Sequence, residues 1–466
     1  MIASIPRLFA VLAVAACSAV GPDYHPPTAV VPDAFRETGA VLVAAAPDLA
    51  QWWHRLDDAV LDGLVEQATR QNLDIREALE RVAEARALRG GAEAELWPTV
   101  DATAAYRRLG DSKNTPLGGL AVDSNSYVTG LDASWEIDLW GRVRRGIEAA
   151  DADLEATRET ARAVLVTVAA ETAANYVQLR ALQERLAIAR NNIDLQERTL
   201  ALVRTRFESG LVGERDVAQA ASILAATRAR VPAIETDLRA AENRLAVLLG
   251  LPPGALAADL AQAARIPVPP AEVAVGVPAD VVRRRPDVRA AERALAAETA
   301  RIGVAEGDLY PTLTLFGSVG FSADHASHLF DGDSNVLAIG PTLRWNLFDA
   351  GRVRSRIAAQ DARARQAMVR WERAVLTALE EAENAMAAFV REQTRAARLG
   401  EAATEARRAV DFAQTQYREG LTDFQNVLDS ERALADLEDQ VAQSHALITA
   451  DLIALYKALG GGWESE

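Results

Sequence analysis

The chain has 466 residues, half of them hydrophobic, which is long enough for several domains or for one large elongated unit. Its 50 Lys and Arg stand against 66 Asp and Glu, and the formal net charge of −16 argues against a nucleic acid as partner. No run after the N-terminus reaches the ~18 apolar residues that a spanning helix needs, which excludes a helical membrane protein.

At the N-terminus, Arg7 is the only basic side chain before an apolar stretch over 8–16, and the small residues Ala15 and Ala16 precede Cys17. That is the layout of a signal peptide over 1–16. Cys17 is the only cysteine, so no internal disulfide can form. Val14-Ala15-Ala16-Cys17 resembles a bacterial lipoprotein box, which implies that Cys17 carries a covalent lipid as the first mature residue. By the same resemblance, Ser18 points to the outer membrane, since an Asp there would favour inner-membrane retention. A free thiol inside the leader is the bland alternative. The segment 17–57 is expected to wrap in extended form, and 58–96 to form one amphipathic helix.

Two extended regions follow, about 99–109 and 126–137. In the latter, Tyr127, Thr129, Leu131, Ala133, Trp135 and Ile137 share one face, opposite Gly130, Asp132, Ser134 and Glu136. A long helix over 142–209 is then expected, with Leu179, Leu186, Ile193, Leu200 and Phe207 at every seventh position as a coiled-coil seam. At a rise of about 1.5 Å per residue such a helix is a rod of roughly 100 Å. A turn at Gly210 precedes a returning helix over 215–249, which Pro232 should kink. The Pro- and Ala-rich stretch 251–278 reads as an irregular collar.

The chain then repeats itself. Gly141-Arg142-Val143 recurs as Gly351-Arg352-Val353, Phe207-Glu208-Ser209-Gly210-Leu211 as Tyr417-Arg418-Glu419-Gly420-Leu421, and Leu249-Gly250 as Leu459-Gly460, each 210 positions later. Trp97-Pro98-Thr99 matches Tyr310-Pro311-Thr312 at an offset of 213. One unit over 58–250 is therefore duplicated over 279–460, with 461–466 as a tail. The second unit brings strands over about 312–321 and 336–347, a seam of Phe389, Ala396, Ala403, Val410 and Tyr417, and a returning helix over 423–459.

Four alternating segments of this length suit transmembrane β-strands, although a pair of soluble hairpins with one wet face has the same period. The membrane is favoured by Trp97, Trp135, Trp140, Tyr310, Trp345 and Phe348, which gather at the strand ends nearest the helices as an interfacial girdle should. Polar, Gly-rich loops at 110–125 and 322–335 join the other ends and would face outward. Four strands cannot close a barrel, and open edges in lipid leave backbone groups unpaired, so the chain must oligomerise.

Leader and Cys17, then Gly21-Pro22-Asp23-Tyr24, the run from Arg284-Arg285-Pro286-Asp287 to Glu292, and Tyr310-Pro311-Thr312-Leu313 resemble the TolC-like outer-membrane factors. The closest branch is the NodT/OprM-like lipoprotein group serving resistance-nodulation-division efflux pumps. The resemblance implies a mainly α fold with membrane β: a homotrimer with a twelve-stranded barrel and a periplasmic α-barrel of coiled-coil helices. It also implies a passive, gated duct that works with a periplasmic adaptor and an inner-membrane pump and exports drugs or toxic compounds. The outer-membrane duct of an ABC-driven protein secretion system shares the fold, and a periplasmic lipoprotein without a pore is the alternative from another class.

In the family, the hairpin turns are adaptor-contacting tips, here Gly210, Leu211, Val212 and Gly213 near 208–215, and Gly420, Leu421 and Thr422 near 418–423. Locally, the glycines supply left-handed helix ends, and Thr422-x-x-Gln425 reads as a capping box. The family's closed pore is held by a tyrosine before the second tip and by residues after it. Tyr417 and Asp429 match, and three copies of Asp429 would make a carboxylate ring; a lone surface Asp is the alternative. Asn426 and Thr422 stand where some members carry Asp and Arg, so a tip network of charges gives way to hydrogen bonding.

No phosphate loop, nucleophile elbow or zinc-protease motif is present, and five histidines offer little for catalysis. An enzyme is not expected, nor a cofactor beyond the lipid on Cys17. Asp324, His325, His328, Asp331 and Asp333 crowd one loop, but Asp331 to Asn335 lacks the glycine and closing glutamate that a calcium loop places after such a start. A solvated outer loop with no metal is the expectation there.

Overall fold

The computed structural model describes residues 19–37, 41–43, 45, 49–110, 112, 114 and 123–463. The expected signal peptide over 1–16, Cys17 and Ser18 lie outside them. In chain order the elements are β1 (Leu42–Val43), α1 (Ala59–Gln71), α2 (Leu73–Ala94), β2 (Thr99–Leu109), β3 (Ser124–Ile137), α3 (Arg142–Glu208), α4 (Glu214–Leu248), β4 (Val273–Ala274), α5 (Pro278–Arg284), α6 (Pro286–Gly307), β5 (Thr312–Ala323), β6 (Asn335–Arg344), α7 (Arg352–Glu419) and α8 (Phe424–Ala458). No helix among the described residues is long and apolar enough to cross a membrane.

Three expectations are corrected. The single helix over 58–96 is two, because the Asn72 carboxamide oxygen accepts from the backbone N–H groups of Asp74 (2.8 Å) and Ile75 (3.1 Å) and starts a new helix. Asn72 also donates to the Leu248 carbonyl at 2.9 Å, so the break is fixed by packing on α4. The last strand ends at Arg344, not near 347, since its partner β5 runs out at the Thr312↔Arg344 pair and leaves Trp345 to Phe348 beyond the ladder. Helix α8 has Asp423, not Thr422, in its N-cap position and makes no side-chain cap bond, so Thr422 and Gln425 form no capping box.

The chain forms two compact units, divided once in the extended N-terminal segment and otherwise within helices. The first gathers 1–28, 81–158 and 290–372 and contains an antiparallel sheet in the order β2-β3-β5-β6. β2 and β6 are its edges, and Pro341, which has no N–H to donate, sits in the edge strand β6. Below the sheet, Arg142 reaches back to Glu136 with bonds of 3.1 and 2.9 Å. Arg145, buried on α3, donates to the Val20 and Gly21 carbonyls (3.0 and 3.2 Å) and to Asp23 at 2.7 Å. Tyr24 donates to Glu292 at 3.0 Å. Gly303 is needed under this segment, since a Cβ there would lie 2.6 Å from the Val20 carbonyl oxygen. The Gly21-Pro22-Asp23-Tyr24 motif is thus a strap fastened to α3 and α6.

The second unit gathers 29–80, 159–289 and 373–466. Of the seam predicted along α3, Leu179, Leu186 and Leu200 are buried, Ile193 is half-buried and Phe207 is exposed, whereas that of α7 is buried throughout, at Phe389, Ala396, Ala403, Val410 and Tyr417. α4 runs unbroken through Pro232. The short parallel pair β1–β4 ties the N-terminal segment to the collar, in which strand β4 is the only one among the described residues. Arg285, buried, bonds Asp287 (2.9 and 2.7 Å), Glu381 (2.6 Å) and the Ala458 carbonyl (3.3 Å). The Arg284-Arg285-Pro286-Asp287 motif therefore clamps the end of α8.

Candidate functional site: the membrane sheet and the hairpin tips

Residues paired directly across an antiparallel ladder share a face, so the register sorts the sheet without ambiguity. Val100, Ala102 and Tyr106 pair with Ala133, Leu131 and Tyr127. Leu131 and Trp135 pair with Val319 and Leu315, and these with Leu337 and Pro341. That face is apolar from edge to edge and lies bare, with Leu337 at 73 % and Ile339 at 74 % exposure. The opposite face carries Asp101, Thr103, Asp132, Ser134, Thr314, Ser318, Thr342 and Arg344, and Thr103 donates to Asp132 at 3.0 Å. A bare four-stranded apolar face is not that of a soluble hairpin. Strands of 11, 14, 12 and 10 residues match a bilayer's hydrocarbon thickness.

The predicted aromatics stand at the helix-proximal ends, and three of the four tryptophans donate their indole N–H to a backbone carbonyl. Trp135 Nε1 donates to the Leu96 carbonyl at 2.8 Å, Trp345 Nε1 to Leu309 at 3.0 Å, and Trp140 Nε1 to Pro311 at 2.9 Å. Trp140 stacks on Tyr310 with ring centroids 4.9 Å apart. Trp97 and Phe348 are exposed. At the far ends, Tyr106 packs on Tyr127 and Phe321 on Phe330.

Both hairpin tips have one backbone design. Gly210 and Gly420 take φ of 71° and 75°, and Leu211 and Leu421 donate back to Arg206 and Gln416 at 2.9 and 2.8 Å, the Schellman closure that relieves two orphan carbonyls. Gly213 and Asp423 begin the returning helices without a side-chain cap. Leu211 and Leu421 project exposed, and Val212 packs on the core beneath.

The predicted gate residues divide. Tyr417 is 3 % exposed in that core, its ring against Phe424 (5.3 Å) and under the Arg206 guanidinium (4.5 Å). Arg206 also donates to the Tyr417 carbonyl, and burial pushes the Tyr417 hydroxyl up. Asp429 is exposed on α8, accepts from Gln425 at 3.1 Å and has Arg432 at 3.8 Å. Asn426 donates to Thr422 Oγ1 at 2.7 Å. The structure therefore pairs Asn426 with Thr422 and does not bring Tyr417 to Asp429. Sequence reasoning missed Arg206 and the buried Glu431, which accepts from Thr199 (2.6 Å) and Gln414 (2.9 Å). Glu431 lies on the apolar side of α8, and its polarity at a seam position was the available signal.

A sheet apolar on one side and polar on the other, with two free edges and long helical hairpins, defines the class of outer-membrane channel subunits. The chain belongs to the outer membrane efflux protein family, whose model matches residues 64–251 and 277–461. It is 31 % identical over 444 residues to Nodulation protein T of Rhizobium leguminosarum bv. trifolii, covering 95 % of this chain and 94 % of that one. It is 32 % identical over 462 residues to the pyoverdine export outer membrane protein OpmQ of Pseudomonas putida, covering 98 % and 96 %. The structure of the outer-membrane channel OprN superposes with a TM-score of 0.88 at 36 % identity, over 95 % of this chain and 99 % of that one. The chain is an outer-membrane efflux channel protein with a periplasmic extension.

Proposed function

We propose that three copies of this chain close a twelve-stranded barrel and form the passive duct of a tripartite efflux system, fed by a resistance-nodulation-division pump through a periplasmic adaptor. The observation that carries this reading is the sheet: an apolar face for lipid, a polar face for a lumen, and edges β2 and β6 with no second neighbour among the described residues. Closing three such sheets edge to edge pairs every strand, which lipid requires. The relative OpmQ is named for pyoverdine export, a small-molecule cargo, and that favours efflux over protein secretion.

At the tips, exposed Leu211 and Leu421, with Gly210, Gly213, Gly420 and Thr422, offer the adaptor small apolar contacts on a rigid turn. Asp429 lies exposed about two turns beyond Thr422, where three copies would ring the axis. Tyr417 serves the gate from inside the hairpin core, with Arg206 fixing it to the first hairpin. Asn426 and Thr422 close the tip by hydrogen bonding. Cys17 carries the anchoring lipid, and Cys17→Ser should abolish palmitate labelling of the mature protein; label retained in that variant would overturn the anchor.

In planar bilayers Asp429→Ala should raise basal conductance, and an unchanged closed state would remove Asp429 from the gate. Crosslinking in native membranes should capture an adaptor and a proton-driven pump, whereas capture of an ABC exporter would move the chain to protein secretion.

A further inference from the structure

The loop joining β5 to β6 holds three side chains whose donor atoms all lie within 4.8 Å of one another: Asp324, His325 and His328. The sequence alone suggests only a solvated loop, because the clustering depends on a local conformation. Residues 326–328 form a 3-10 turn with His325 at its head. At three residues per turn, side chains three apart eclipse, so the imidazoles of His325 and His328 stand on one side with centroids 5.7 Å apart. Asp324 precedes them, its carboxylate 3.0 Å from His325 Nδ1.

The turn is held from several directions. His328 N–H donates to the His325 carbonyl at 3.1 Å, and the His328 carbonyl accepts from Asp331 N–H (3.0 Å) and Ser334 Oγ (2.8 Å). Phe330 packs edge-on against Phe321 of β5 at 5.6 Å, which fixes the loop to the sheet. Asp331 heads the next 3-10 turn. The loop of the first half, 110–123, contains no histidine.

We propose that this loop binds one divalent transition-metal ion through Asp324, His325 and His328. Two imidazoles and one carboxylate are a borderline donor set suited to Zn2+, Cu2+ or Ni2+, whereas Ca2+ and Mg2+ require oxygen ligands. All three side chains are exposed, so water completes the coordination. The loop joins the strand ends opposite those that lead into helices, so the ion is met outside the cell, at the mouth and not in the lumen. The inference stands whether or not the duct serves a drug pump.

The test is calorimetric titration of untagged full-length protein, stripped with EDTA and held in detergent, with ZnCl2. Saturable binding is expected at one ion per chain. His325→Ala/His328→Ala should abolish it, Asp324→Asn should weaken it more than about tenfold, and His25→Ala/His445→Ala should leave it unchanged. Cu2+ bound to the same protein should show nitrogen hyperfine structure in its electron paramagnetic resonance spectrum, lost in the double loop variant. Retained heat-modifiable migration of each variant confirms that the barrel is intact. Absence of saturable binding in the parent, or binding that survives the double substitution, would overturn the proposal.

Discussion

The two halves of this chain share a backbone and differ in what they bury. Phe207 and Tyr417 hold the same place 210 residues apart, one step before equivalent turns, yet Phe207 is 43 % exposed and Tyr417 3 %. Phe424 and Arg206 account for the difference: they enclose the second aromatic, while Gln416 stands where the first half has Arg206. The duplication set the scaffold, and later divergence placed the specific contacts. The largest asymmetry should therefore appear on truncation. Tyr417→Ala should cost about 3 kcal/mol by emptying a packed site, whereas Phe207→Ala should cost less than about 0.5. Hydrogen exchange at tip amides would then accelerate by about two orders of magnitude for the first and hardly for the second. Equal effects would show that the tips are mechanically equivalent.

A second divergence is electrostatic. Ala241 of α4 is buried, and its counterpart 210 positions later on α8 is Asp451. Burial, with Glu392 close by, pushes Asp451 up to about 6 from its ordinary 3.8. The protonated form is thus the one the fold prefers: well below its ordinary 3.8 the group is neutral folded or unfolded, and stability falls as pH rises from there toward 6, where the unfolded chain has already lost its proton. Asp451→Asn should therefore stabilise the protein at pH 7.5 by about 2 kcal/mol, reduced from the full shift because the side chain is partly solvated, and should change almost nothing at about pH 3. Denaturant midpoints at the two pH values measure it. A variant no more stable at pH 7.5 would mean that Asp451 is paired in the assembly.

Much of this was legible in the sequence because period and repetition are one-dimensional. The alternation in β3 and the heptad of α7 need only spacing, and the offset of 210 needs only comparison. What stayed hidden depends on contacts far apart in the chain. Asn72 breaks a helix because Leu248 waits for its amide. Arg145 is one arginine among many until Val20, Gly21 and Asp23 arrive beneath it. Tyr417 was read as a gate residue from its place before the tip, but which way it faces depends on Arg206, more than two hundred residues earlier. The capping box failed for a local reason: the helix starts one residue later, with Asp423 in the N-cap position, and Thr422 Oγ1 accepts from the Asn426 side chain instead of from the Gln425 backbone N–H.

The smallest expected effect tests what duplication preserved. Trp135 and Trp345 sit 210 residues apart, and their indole N–H groups reach the carbonyls of Leu96 and Leu309, each the residue before the aromatic-Pro-Thr that opens a strand. A tryptophan at this depth keeps its ring in the apolar margin while its N–H is bonded, so each ties the end of one strand to the start of its neighbour. Trp135→Phe and Trp345→Phe keep most of the ring area and remove the donor, leaving one carbonyl to be satisfied by interfacial water. Each should lower barrel stability by about 1 kcal/mol, and the two should be equal and additive, since the bonds share no partner. Urea unfolding in vesicles of the parent, the two single variants and the double variant measures it. A much larger loss from Trp345→Phe would place that ring, which lies beyond the end of β6, against a neighbouring subunit, so that it closes the barrel and does more than mark its edge.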